Sequence, residues 1–288
     1  MARKHHWRAT IGLSNPASLA KRVNPAQRWN LMKTTLIVMT LNEIDGMKVI
    51  MPQVDRTWCD QILVIDGGST DGTIEWARDN GYEVYVQKQK GIRNGYLEAW
   101  HLVRGDVVIT FSPDGNCVAE AIPRLIAKMR DGYDMVVASR YLGDAHSDDD
   151  DLVTGFGNWF FTRTINVLYR GNYTDVMGIF RAYKKSLVHA LELDTDKYFD
   201  TVEKIFRCGP RGLSWEPFLS MLAHKYGYRV GEVPAPEPAR LGGNRKLRVL
   251  SWGGAIYLQF LLEFFRPRNP KMLPNRTLPA PTVRPGQA

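Results

Sequence analysis

The chain has only three cysteines among 288 residues, and Cys59, Cys117 and Cys208 lie far apart with no CxxC spacing. So few, and an odd number, they exclude a disulfide framework, argue against a cysteine-held zinc site and fit a reducing compartment. Acidic residues are missing from residues 1–33, where seven Lys and Arg stand unopposed. No apolar stretch follows Arg3, Lys4 and Arg8, so a cleaved secretory leader is not expected; the segment reads as a disordered or membrane-touching basic tail, with an organellar transit peptide as the alternative. Internal repeats are absent too, which excludes solenoids and propellers. The longest apolar run, VLSWGGAIYLQFLLEFF (249–265), is broken by Gln259 and Glu263 and falls short of the roughly 20 residues a spanning helix needs.

What is present suits one catalytic-sized domain: 44% of residues are hydrophobic and 24% charged. The net charge of +8 is concentrated at the ends. Residues 241–288 carry eight basic residues against Glu263, which leaves 34–240 mildly acidic. A nucleic-acid-binding role is therefore not expected, since no recognition motif accompanies the terminal charge. Basic ends suit an anionic membrane surface.

From residue 34, short apolar runs alternate with segments long enough for helices. TTLIVMT (34–40), QILVID (61–66), YEVYV (82–86), DVVITF (106–111) and DMVVAS (134–139) read as strands, with helices around 43–58, 71–80, 94–104 and 119–131. Such alternation predicts an α/β fold with a mostly parallel sheet and helices on both faces. Ligands in these sheets bind beyond the carboxyl ends of the strands. The turns there are polar: Leu41-Asn42-Glu43, DGGSTDGT (66–73), SPDGN (112–116) and Ser139-Arg140-Tyr141. The acidic run DAHSDDDD (144–151) reads as a solvated loop rather than a metal site, the residues from Gly155 to Tyr169 as a helix, and PAPEP (234–238) as a rigid break.

DGGSTDGT resembles the DDGSxDGT signature of family 2 glycosyltransferases, which have the GT-A nucleotide-sugar-binding fold. VMTLNE (38–43) is similar to the family's first-strand turn, SPDGN lies where its DxD motif is expected, and DVMGIFRAYKK (175–185) looks like its DxxxGFRxYxR segment. RLGGNRK (240–246) resembles the RxxGxSK segment of the polyprenyl-phosphate branch, with Arg245 in place of the serine. The resemblance spans about residues 34–246. It implies a nucleoside held by Thr40, Asn42, Glu43, Asp66 and Ser69, although Ser69, Thr70 and Asp71 also suit capping of the next helix. It further implies Mg²⁺ or Mn²⁺ at Asp114, with Asn116 as a further oxygen ligand and Ser112 where the family has its first acid. Arg240 and Lys246 would grip a phosphate, with Arg93 and Arg181 as further donors. Asp175 and Glu216 are the candidates for activating an acceptor hydroxyl, Glu216 being kept ionised by a helix N-terminus. A phosphate acceptor would need no base.

The expectation is an inverting transfer of a hexose from a UDP- or GDP-hexose to a polyprenyl-phosphate-type lipid. Transfer to a sugar hydroxyl of a glycolipid or polysaccharide, or a non-catalytic nucleotide-sugar-binding adaptor, are the alternatives. The domain plan is a basic tail (1–33), a catalytic domain (34–240) and a basic extension (241–288) carrying helix 249–265 and a Pro-rich tail. With Trp252 and Tyr257 as anchors, that helix is expected to lie in the membrane plane or pack on the domain, placing the protein peripherally on the inner, cytoplasmic face. Nothing in the sequence sets the oligomeric state.

Overall fold

The computed structural model describes residues 32–241 and 249–274. Residues 1–31 of the basic N-terminal tail, Lys246 and the end of the Pro-rich tail lie outside the described residues.

The five expected strands are present as β1 (Thr34–Thr40), β2 (Gln61–Asp66), β3 (Glu83–Val86), β4 (Val107–Phe111) and β5 (Met135–Ser139). Two further strands were not anticipated, β6 (Arg181–Lys184) and β7 (Val230–Pro234). Both are short. β6 owes its extended backbone to pairing on both sides, with Ala182 opposite Ile109 of β4 and Val136 of β5. The order is β3-β2-β1-β4-β6-β5-β7, and β6 alone runs antiparallel to its neighbours.

Helices α1 (Ile44–Ile50), α2 (Thr73–Asp79), α3 (Ile92–Ala99) and α4 (Ala121–Arg130) connect the first five strands. After β5 come α5 (Leu152–Tyr169), α6 (Lys185–Ala190), α7 (Asp200–Phe206), α8 (Glu216–Tyr226) and α9 (Val249–Phe265). Because central strands are covered on both faces, alternate side chains feed two separate cores. Ile37, Leu63, Val108 and Val137 pack with α3, α5, α8 and α9, whereas Leu36, Val38, Val64 and Ile109 pack with α1, α2 and α4.

Helix α9 has the expected ends, and its two polar residues face the core. Gln259 and Glu263 point inward, buried with Ala255, Ile256 and Phe260. Lys225 Nζ donates to Glu263 Oε1 at 2.7 Å and to the Glu263 carbonyl at 2.6 Å, which compensates the buried carboxylate. Apolar Leu250, Leu262, Phe264 and Phe265 are left outside. Among the described residues no helix is long and apolar enough to cross a membrane.

Candidate active site

The strand order reverses at β1, which pairs with β2 on one side and β4 on the other, so the crevice beyond their carboxyl ends is the expected ligand site. The turns after β1 and β2 are stitched together there. Asp66 is fully buried; its Oδ1 accepts from the N–H groups of Gly68 (2.8 Å) and Ser69 (2.7 Å), and its Oδ2 accepts from the hydroxyls of Thr40 and Ser69, each at 2.7 Å. Four internal hydrogen bonds occupy this carboxylate. Asp66 therefore shapes the turn, with both of its oxygens engaged by neighbouring donors. Asn42, held at φ +52°, accepts from the Thr70 N–H at 2.8 Å and donates its own N–H to Ser69 Oγ at 2.7 Å. The Glu43 N–H donates to Thr73 Oγ1 at 3.0 Å. Thr40, Asn42, Glu43, Asp66 and Ser69 are thus brought together, with Ser69 spent on cross-linking the turns rather than on capping α2.

The turn after β4 carries Asp114, buried, and Asn116. Gly115, at φ +99°, reverses the chain between them. Asp114 Oδ1 accepts from the Asn116 N–H at 3.2 Å, and its Oδ2 lies 2.8 Å from Arg240 Nη1. The Leu241 N–H donates to the Asp114 carbonyl at 2.9 Å, which pins the start of the RLGGNRK segment to this turn. Asn116 Nδ2 donates to Asp149 Oδ2 at 3.0 Å, while Asn116 Oδ1 is buried without a partner. The acidic run is therefore not the solvated loop expected from sequence. Asp149 and Asp150 turn into the site, and Asp151 caps α5 by accepting from the Val153 and Thr154 N–H groups at 2.9 and 2.8 Å. Tethering by that cap draws the loop inward, a signal readable in an acid directly preceding an apolar helix.

Burial and pairing define the surroundings of the other candidate residues. Asp175 is wholly buried and receives Arg140 Nε at 2.6 Å and Nη2 at 3.0 Å, with the Met177 and Gly178 N–H groups on the same carboxylate. Burial by itself raises its pKa, but the Arg140 charge and hydrogen bonds, helped by Arg181, hold it below the usual range. An anion so committed anchors Arg140. Arg93 is buried between Glu203 (2.9 Å), Asp196 (2.9 Å) and the Phe199 ring, and Arg181 donates to the carbonyls of Glu216 and Val176; neither is aimed at a ligand phosphate. Glu216 does line the cavity, receiving the Tyr96 hydroxyl at 2.6 Å. Its carboxyl is pushed up by burial, which outweighs the Tyr96 hydroxyl, the Arg181 charge and a backbone hydrogen bond, so the shift runs against the one expected from its helix-start position.

A cavity of about 400 Å³ joins these groups. Asp114, Asn116, Arg140, Asp149 and Arg240 line part of it, and Val153, Phe161, Met177, Trp252 and Ile256 another. Six lining residues have a buried polar atom without a partner: Asn116 Oδ1, Asn158 Oδ1, Ser214 Oγ, Glu216 Oε2, Arg240 Nε and Trp252 Nε1. An unsatisfied buried polar group costs about 1–3 kcal/mol, so such a set around one cavity marks a surface built to be completed by a polar ligand or by water. Arg140, Asn158, Asp149 and Glu237 were not singled out from sequence. Ser139-Arg140-Tyr141 was visible as a polar strand end, but the Arg140 pairs with Asp175 and Glu237 depend on residues 35 and 97 positions away.

A switch-point sheet with polar strand ends around a cavity defines a nucleotide-binding α/β enzyme of the GT-A type. The family model described as "Glycosyl transferase family 2" matches residues 36–191, and the chain belongs to that family: it is a glycosyltransferase. It is 25% identical over 226 residues to an undecaprenyl-phosphate mannosyltransferase of Micrococcus luteus, covering 75% of this chain and 88% of that one. To a dolichyl-phosphate hexose transferase of Haloferax volcanii it is 27% identical over 223 residues, covering 77% and 89%. The fold is shared with glucosyl-3-phosphoglycerate synthase from Mycobacterium tuberculosis, solved with Mn²⁺, UDP and glucosyl-3-phosphoglycerate, at a TM-score of 0.54 and 17% identity over 86% of each chain.

Proposed function

We propose that the chain transfers a hexose from UDP- or GDP-hexose to the phosphate of a polyprenyl-phosphate lipid, with inversion and with Mg²⁺ or Mn²⁺ as cofactor. The observation that carries this reading is the composite cavity, in which carboxylate, amide and guanidinium groups at the strand ends share one space with the apolar faces of α5 and α9. Such a space suits a charged diphosphate and a lipid phosphate with an apolar chain behind it. The printed activities of the Micrococcus and Haloferax relatives support the lipid acceptor.

The Asp114 carboxylate and the unpartnered Asn116 Oδ1 fit a hard divalent cation that takes one or two protein oxygens and completes its shell with substrate phosphate. The ion would supply positive charge to the departing diphosphate. Among the described residues no group of three or more His, Cys, Asp or Glu side chains could hold a metal ion. An acceptor phosphate oxygen attacks the anomeric carbon from the face opposite the diphosphate, the carbon–oxygen bond to the diphosphate breaks, and the nucleoside diphosphate leaves. No proton need be removed from the acceptor. Arg240, with Lys246 from outside the described residues, would hold the acceptor phosphate.

A sugar-hydroxyl acceptor is the second reading, favoured by the one observation that Glu216 Oε2 faces the cavity unpaired with its carboxyl pushed up. Glu216→Gln decides between them: near-normal transfer supports a phosphate acceptor, and a loss of a hundredfold or more supports a base.

We also assign the α5–α9 side to an anionic lipid surface. Leu152, Val153, Phe156 and Trp159 of α5 are exposed, and the Phe160 ring packs 4.9 Å from that of Tyr257 on α9. Exposed Arg163, Arg170, Arg266, Arg268 and Lys271 flank this apolar surface, as a peripheral protein on an acidic leaflet requires. In this reading residues 34–240 hold the donor, α9 joins the same core, and the protein works at the cytoplasmic face of the membrane. Calorimetric titration with UDP and GDP, with and without Mn²⁺ or Mg²⁺, tests the donor site. Metal-dependent binding of one nucleotide, lost in Asp114→Ala, is expected, and binding of neither nucleotide with either metal refutes the proposal.

A further inference from the structure

Three of the buried polar atoms that line the cavity have no part in the phosphate chemistry above. Asn158 Oδ1 on α5, Ser214 Oγ in the turn before α8 and Trp252 Nε1 on α9 are each buried without a hydrogen-bond partner. The backbone carrying each group is fixed by packing. Asn158 is only 5% exposed, on a helix whose start is held by the Asp151 cap. Ser214 stands between two anchored neighbours: the Leu213 N–H donates to Glu203 Oε1 at 3.0 Å, and Trp215 Nε1 donates to the Tyr183 hydroxyl at 3.2 Å. Trp252 lies on a helix that approaches α7 so closely that a Cβ at Gly254 would fall 2.4 Å from the Phe206 ring, and Lys225 ties the far end of that helix through Glu263. Three separate elements thus bring unsatisfied groups to one space.

The three groups are uncharged and complementary. Asn158 Oδ1 accepts, Trp252 Nε1 only donates, and Ser214 Oγ does both. The cations lining the cavity, Arg140 and Arg240, are already in ion pairs, the first with Asp175 and Glu237 and the second with Asp114. A phosphate would meet a repelling oxygen at Asn158, whereas a ligand whose hydroxyls both donate and accept matches the whole set. We propose that Asn158, Ser214 and Trp252 read the hydroxyl groups of the transferred hexose and so determine which nucleotide-hexose the enzyme accepts. The inference rests on the donor-site reading given above and adds the part of the cavity that discriminates between sugars. Ser214 and Trp252 lie outside residues 36–191, so this recognition is built by the C-terminal part of the chain against α5 rather than by the strand-end turns. A site made to hydrogen-bond a hydroxyl rejects a sugar that lacks or inverts it, because the buried protein group then stays unpaired.

The test separates the sugar from its nucleotide. Wild type, Asn158→Ala, Ser214→Ala and Trp252→Phe, each checked for folding by thermal melting, are titrated with Mn²⁺ present. The ligands are UDP and GDP alone, then UDP-glucose, UDP-galactose, GDP-glucose and GDP-mannose. Loss of one hydrogen bond should weaken the preferred nucleotide-hexose about three- to tenfold, while the matching nucleoside diphosphate stays within about twofold of wild type. The preference between the two sugars on that nucleotide should fall toward one. Trp252→Phe keeps a ring in the wall, so its effect reports the lost N–H, and Ser214→Ala removes a single oxygen, so it stays informative if another variant does not fold. Three results overturn this proposal and leave the donor-site reading standing: equal weakening of diphosphate and nucleotide-hexose, unchanged affinity for every nucleotide-hexose because water serves these atoms, or a raised KM for undecaprenyl phosphate with donor affinity unaltered. Wild type that binds neither UDP nor GDP overturns the donor-site reading, and this inference with it.

Discussion

Asp175→Asn isolates the part of the site that is structural. Asparagine keeps the shape of the side chain but removes the charge facing Arg140, whose side chain is only 14% exposed. The remaining carboxylates, Glu237 at 3.1 Å and Asp150 at 3.8 Å, compensate part of the loss. Removing one partner of a buried ion pair costs about 3–5 kcal/mol, and the retained Glu237 contact places this variant at the lower end, about 3 kcal/mol. A chain of this size loses about 2–4 °C of Tm per kcal/mol, so a fall of about 6–12 °C is expected at pH 7. The pH dependence has a definite sign. The folded-state pKa of Asp175 is depressed, so its stabilisation is fully present above the ordinary value of 3.8 and is lost as pH falls below it toward the lower folded value. The gap between wild type and variant should therefore narrow on acidification. Melting followed by circular dichroism from pH 7 to pH 3 measures it, and nucleotide titration of the folded variant at low temperature should show binding retained. A Tm within about 2 °C of wild type at pH 7, or a gap that persists unchanged into strong acid, refutes the reasoning.

Glu216 has the opposite sign: its folded pKa is raised above the ordinary 4.5, so wild-type stability erodes as pH rises from there. The stability difference should drift toward Glu216→Gln between pH 4.5 and 8 in urea titrations, and a flat or opposite drift counts against a desolvated carboxyl. Gly46→Ala would place a Cβ 2.1 Å from the Pro113 carbonyl, at the turn that carries Asp114. It should cost about 1–3 kcal/mol and weaken Mn²⁺-dependent nucleotide binding, and a variant with unchanged stability and affinity shows that this contact does not position the turn. Phe156→Glu with Trp159→Glu should lower binding to phosphatidylglycerol vesicles in sedimentation at least tenfold while leaving nucleotide binding unchanged, because each apolar ring contributes about 1.5–3 kcal/mol when buried. Equal vesicle binding would place the lipid surface elsewhere.

The sequence by itself determined the first half of the architecture. Runs such as TTLIVMT and QILVID are continuously apolar at their centres, where side chains feed both cores, so their identity as doubly covered strands is local information. The polar turns at their carboxyl ends were equally legible, as were the extent of α9 and the family-like order of motifs. What the sequence did not determine was how much of each side chain is already spoken for. Asp66, Asp175, Arg93 and Arg181 look like ligand groups because their residue types suit phosphates, bases and sugars. Only the fold shows their hydrogen bonds and charges consumed by partners as distant as Glu203 from Arg93. Asp149 shows the converse: in a run of acids it reads as solvated, yet the Asp151 cap on α5 and the Asn116 amide draw it to the site. Local patterns set secondary structure through periodicity and turn chemistry, whereas the charge state and availability of a buried side chain depend on what long-range packing brings within about 4 Å, where electrostatic and hydrogen-bond energies are decided.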